Sequence, residues 1–140
     1  MKSDNDVMRV LKEDGIEHVS EKDMNLEIVA LDDVIGANSH HKSWSRRLVQ
    51  TVNGSAMMIS QQPGEGNRYH YHPDYNECWY IVDGEYEMTI GEKKRKEIIK
   101  KGDFVFMEAG KWHQMKAVGD KPAVRIGFSH SMATHTYEGK

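Results

Sequence analysis

A chain of 140 residues is long enough for one domain with a single core. Its net charge of -3, with both signs mixed, makes no case for nucleic acid or an anionic membrane, and no apolar run approaches membrane-spanning length. The polar start Met-Lys-Ser-Asp-Asn-Asp does not read as a signal peptide, and a single cysteine excludes an internal disulfide framework, so a reducing cytoplasm is the expected setting. The nine methionines are expected mainly as core filling, since a flexible thioether suits irregular apolar gaps.

In chain order, residues 4–14 are expected to form a short helix. Asp4 or Asp6 caps it, Val7, Met8 and Leu11 make one apolar stripe, and Gly15 ends it. It is too short for a DNA-binding domain, and its expected role is a lid on the domain or a contact with a partner subunit. Residues 26–31 read as a strand and 32–39 as a loop turning at Gly36. His40 and His41 follow. Adjacent residues of a strand point to opposite faces, so they are poor co-ligands and read as solvated loop residues. Residues 43–52 form the next strand, Asn53-Gly54 is a hairpin turn, and residues 55–62 return. Arg46 and Arg47 sit in the first of these strands, where at most one of them can face inward.

The stretch Gly64-Glu-Gly-Asn-Arg-Tyr-His-Tyr-His-Pro-Asp-Tyr-Asn-Glu77 carries the chemistry. His70 and His72 share one face of a strand, Pro73-Asp74 interrupts it, and the turn folds Glu77 back toward the two imidazoles. Two imidazoles and one carboxylate on a rigid sheet describe a facial site for a divalent metal with open positions. Arg68 shares the parity of His70 if the strand is regular there, whereas Tyr69 and Tyr71 face outward. Cys78 points away from Glu77 as an inert thiol, and Trp79, on the parity of Glu77, is a candidate pocket wall.

Beyond Gly84, Tyr86, Met88 and Ile90 alternate against Glu85 and Glu87 as a half-buried strand. Gly91-Glu-Lys-Lys-Arg-Lys is a solvated turn, residues 97–99 return, and residues 104–107 make a short apolar strand. Residues 112–118 carry His113 with Met115 and Ala117 on its face, and residues 123–128 close the series. Strands near five residues, with turns every eight to twelve, indicate an all-β antiparallel barrel or double sheet. The stretch from residue 130 to 140, with His130 and His135, lacks periodicity and reads as a flexible or interface-covering tail, with an extra base or ligand as the alternative for His130, which follows the last strand near the barrel rim.

Two of these segments resemble the signature motifs of the cupin superfamily. Gly64, His70, His72, Glu77 and Gly84 match the first motif throughout, and Gly102, Gly110 and His113 match the second. Glu108 stands where that motif usually has Pro, and Ala117 where it usually has Asn; neither is a ligand position. The resemblance covers about residues 43–129. It implies a single cupin domain over residues 1–140: an antiparallel β-barrel of jelly-roll type (a double-stranded β-helix) with a short N-terminal helix. It also implies one divalent ion per chain, held inside by His70, His72, Glu77 and His113.

Three imidazoles and a carboxylate suit Fe(II), which is favoured here, and also Mn, Ni, Co or Zn. The expected function is a metal-dependent enzyme acting on a small anionic molecule, a dioxygenase by resemblance to cupin dioxygenases with the same ligand set. A sugar-phosphate isomerase, a lyase or decarboxylase, and a non-catalytic small-molecule binder are the alternatives. Of the arginines, only Arg46, Arg47, Arg68 and Arg125 lie in predicted strands or beside the ligands. Arg46 and Arg68, with Trp79 and Met115, are the expected substrate contacts. A homodimer through the strand from Trp44 to Val52 is expected, where arginine and apolar residues mix.

Overall fold

A computed structural model describes residues 2–4, 7–19, 23–39, 42–130 and 134–137. His40 and His41 lie outside them. Within these residues twelve strands form two six-stranded sheets. The first sheet runs β1 (Lys2–Asp4), β12 (His135–Tyr137), β5 (His70–Tyr71), β10 (His113–Val118), β7 (Glu85–Ile90), β8 (Arg95–Lys100). The second runs β2 (Glu17–His18), β3 (Trp44–Thr51), β4 (Gly54–Gln61), β11 (Ala123–Ser129), β6 (Glu77–Asp83), β9 (Phe104–Met107). Neighbours pair antiparallel except β2 and β3. This is the expected double-sheet, jelly-roll architecture. No helix among the described residues is long and apolar enough to cross a membrane.

Period-two alternation decides what lies between the sheets. Trp79, Ile81, Tyr86, Met88, Met107, Met115 and Ala117 form the buried cluster there. Methionines fill this core as expected, with Met88, Met107 and Met115 buried in it. Two glycines permit close approach of backbones. A Cβ on Gly66 would stand 2.2 Å from the carbonyl oxygen of Met115, where the loop before β5 crosses β10. Gly84 adopts φ +72° at the corner between β6 and β7, and a Cβ there would meet Pro122 O at 2.5 Å.

The N-terminal helix is α1 (Val7–Glu13), and Leu11 packs with Ile16 against Met57 and Ile59 of β4. The strand expected over residues 26–31 is absent: Leu26 and Ile28 are exposed, and regular structure resumes as α2 (Leu31–Ala37). The local alternation resembled a strand, but Leu31, Val34 and Ile35 recur at helical spacing and bury together. Asp32 and Asp33, taken for loop residues, sit in the first helical turn, where carboxylates oppose the positive end of the helix dipole. This helix covers the outer face of the second sheet over Trp44, Leu48, Met58 and Ile126. Within the stretch from Trp44 to Val52, expected to meet a partner subunit, Trp44 and Leu48 are buried under α2 while Val49 and Val52 are exposed.

The tail also departs from expectation. Residues 135–137 form β12, which pairs with β5 (Tyr137 opposite His70) and with β1 (Lys2 opposite Tyr137). Isolated three-residue strands have little stability of their own, so the pairing is a tertiary effect that aperiodic local sequence does not announce.

Candidate metal centre

Three elements bring the histidines together. His70 opens β5, His72 follows it beyond the strand end, and His113 opens β10 directly opposite His70. All three are buried, and one ring nitrogen of each lies within 4.8 Å of the others. Backbone carbonyls orient them. His70 Nδ1 donates to Arg68 O (2.6 Å), His72 Nδ1 to Thr134 O (2.8 Å), and His113 Nδ1 to Lys111 O (2.9 Å). A carbonyl only accepts, so each Nδ1 carries the proton and each Nε2 is the nitrogen left for a ligand. Such carbonyl partners are what fix the tautomer and ring angle of metal-binding histidines.

Glu77, at the start of β6 in the facing sheet, completes the group. Its Oε1 lies 3.0 Å from His72 Nε2 and 3.7 Å from His113 Nε2. The tightest constellation is thus the three histidines, with the carboxylate beside two of them. Burial lowers the pKa of His113 to about 4 against the opposing pull of Glu77, and burial likewise holds His70 well below the ordinary histidine value. Burial also acts to lower His72, but the Glu77 carboxylate outweighs it and the pKa rises. Glu77 shows the reciprocal result: burial acts to raise it, His72 prevails, and its pKa falls. His72 and Glu77 are therefore an imidazolium–carboxylate pair, with Nε2–H donating to Oε1.

The donor set fits a divalent first-row ion. Neutral His70 and His113 and an ionised Glu77 are the ligand forms such an ion requires. Buried His113 Nε2 has no hydrogen-bond partner, an exception among buried polar atoms that a bound cation would explain. A cation held there would replace the proton shared by His72 and Glu77.

The centre opens on a cavity of about 90 Å³ lined from both sheets. That space exceeds what a single water needs and suits a small ligand. Trp79 and Met115, the expected pocket walls, both line it, and the Trp79 ring meets His113 edge-on at 5.3 Å. Val10 and Leu11 of α1 cover one side.

Two arginine expectations are corrected. Arg46 does not line the cavity. It shares the outward parity of Trp44 and donates to Asp23 O, whereas its neighbour Arg47 faces inward. Arg68 does not line it either, because regular pairing begins only at His70; its guanidinium turns to Asp14 (2.7 Å) and stacks over Tyr137. The strand arginine that is both buried and cavity-lining is Arg125. Tyr69 and Tyr71 face outward against Trp112 as expected, while Cys78 is half-buried rather than enclosed.

Sequence reasoning missed His135. Strand β12 places its ring 4.8 Å from His70 and 4.7 Å from His72, in contact with the ligand group. His130, assigned above to the tail, lines the cavity. His130 directly follows β11, whose Ser129 also lines the cavity, whereas His135 carries no local signal and is brought inward only by the pairing of β12 with β5.

The profile described as "Cupin domain" matches residues 57–126, half of the chain. No curated protein matches the chain. Among solved structures, a double-stranded β-helix protein from Klebsiella pneumoniae is 19% identical with TM-score 0.65, covering 78% of this chain and 98% of that one. A cupin-like protein from Thermotoga maritima is 26% identical with TM-score 0.58, covering 64% and 68%. An oxalate decarboxylase from Lactobacillus farciminis is 21% identical with TM-score 0.56, covering 61% of this chain and 27% of that one.

Proposed function

The chain belongs to the cupin family, and from that premise we propose that it is a metal-dependent enzyme acting on a small anionic molecule, with dioxygenase as the first reading. One observation carries it: three buried imidazoles with their Nδ1 atoms tied to carbonyls and their Nε2 atoms facing one another, the Nε2 of His113 lacking a partner. His70, His72, His113 and Glu77 hold one divalent ion, Fe(II) favoured. When bound, such an ion would supply the capacity to activate dioxygen. The protein's own part is binding and enclosure. Glu77 stays ionised, Trp79, Met57, Ile59 and Met115 supply apolar walls, and α1 limits water at one side. A homodimer in the cytoplasm belongs to the same reading.

The same ligand set also accepts redox-inert ions, which would polarise a carbonyl or hydroxyl instead and give a lyase or isomerase. Elemental analysis of anaerobically purified protein, followed by dioxygen consumption against a panel of small acids, separates the two. Stoichiometric iron with acid-dependent dioxygen uptake supports the first reading. A protein indifferent to dioxygen that converts an aldose phosphate, or releases carbon dioxide from an acid, establishes the second.

A further inference from the structure

We propose that Arg125 is an anchor for a ligand carboxylate, which assigns the occupant of the cavity to the short carboxylic acids. The side chain is placed by alternation. On β11, Arg125, Gly127 and Ser129 turn toward the cavity, while Val124 and Ile126 turn to the apolar cluster beneath α2. Arg125 is 3% exposed. A guanidinium cannot shed its charge, so its burial calls for an anion.

Among the described residues none is supplied directly. Arg125 Nη1 donates to Gln61 Oε1 (2.6 Å) and Tyr86 Oη (3.0 Å), and Nη2 donates to Asn67 Oδ1 (2.7 Å). All three acceptors are neutral. The carboxylate of Asp14 reaches Arg125 only through Asn67, whose Nδ2 donates to Asp14 Oδ2 at 3.3 Å. A guanidinium has five N–H donors. Three have acceptors here, which leaves two, and one of the two is Nε, buried without a partner. The neutral clamp fixes the plane of the guanidinium and leaves its charge unneutralised, with Nε itself enclosed and without an acceptor. A carboxylate in the cavity that Arg125 lines supplies the missing charge. The cavity's volume of about 90 Å³ limits the acid to a short one, and its apolar walls suit a hydrocarbon body.

This deepens the metal-centre reading and rests on it for the role of the cavity, but the test reads binding alone. Formate, butyrate and succinate are titrated calorimetrically against formamide, butyramide and succinamide, using metal-free and Zn(II)-loaded protein, with metal content measured in parallel. The expected result is that at least one acid binds tenfold or more tighter than its amide, that Arg125→Met removes this preference, and that metal content is unchanged in the variant. Arg125→Lys, which keeps the charge but loses the fork, retains part of the preference. Wild-type protein that binds no acid better than its amide overturns the anchor whether or not the variants fold. A preference that survives in Arg125→Met overturns it too. Metal uptake without acid preference leaves the metal centre standing and the anchor refuted; acid preference without metal uptake does the reverse.

Discussion

His113 stands directly opposite His70 in the pairing of β10 with β5, their ring centroids 4.4 Å apart. One strand register thus joins the two halves of the centre, because a one-residue slip would turn His113 to the other face of the sheet. Replacing His113 or His72 with Ala is expected to weaken metal binding by at least roughly 100-fold, more than loss of an outer-shell partner typically costs. His135→Ala, which removes a ring packed on the ligands, is expected to cost about tenfold. Chelator competition measures each. Full stoichiometric metal held tightly by either ligand variant would refute the ligand set.

Metal uptake should release a proton. His72 Nε2 and Glu77 Oε1 share one across 3.0 Å, the carboxylate raising the His72 pKa against the effect of burial, and a metal ion must displace it. Calorimetry in buffers of different ionisation enthalpy is expected to show proton release near pH 7 that disappears in Glu77→Gln. Identical heats in all buffers would contradict the shared proton.

The metal-free protein should lose stability as pH falls from about 6.5 toward 4. In that window the unfolded chain protonates its histidines, while burial keeps His113 (lowered to about 4) and His70 neutral in the fold. The unfolded state then binds more protons, so stability rises with pH by up to about 1.4 kcal/mol per unit for each proton of difference. His72, raised, contributes stability that is already present below about 6.5 and is lost only as pH rises above it through its folded value, so it does not offset the trend in this window. Urea midpoints at pH 4.5, 5.5 and 6.5 should climb in wild type and climb less in His113→Gln. A flat profile in wild type would rule out neutral burial.

Gly66→Ala is expected to destabilise by about 1–3 kcal/mol, the usual cost of forcing an atom into a packed site. The added Cβ would stand 2.2 Å from the carbonyl oxygen of Met115, so backbone, not a side-chain tip, has to move. Because β10 moves with it, metal affinity should fall as well. An unchanged urea midpoint would show that the loop before β5 does not lie against β10 in solution.

Much of this protein was legible in local sequence because its determinants are local. Two-residue periodicity set the face shared by His70 and His72, and Asn53-Gly54 marked the hairpin between β3 and β4. Strand and turn periodicity indicated a barrel or double sheet, and the resemblance of the glycine, histidine and Glu77 pattern to the cupin motifs implied the centre within it. Tertiary structure decided what depends on which face becomes the inside. Parity told that Arg46 and Arg47 point opposite ways, but only the burial of Trp44 and Leu48 under α2 made the Arg46 face the outer one. Arg68 shared the parity of His70, yet the strand begins too late to hold it there and Asp14 draws it aside. His135 reached the centre through a three-residue strand whose pairing partners, Tyr71 and His70 on one side and Lys2 to Asp4 on the other, lie far away in the chain, and no short window of sequence contains that interaction. Side-chain direction is a property of the residue and its neighbours; inside and outside are properties of the whole chain once its layers have packed.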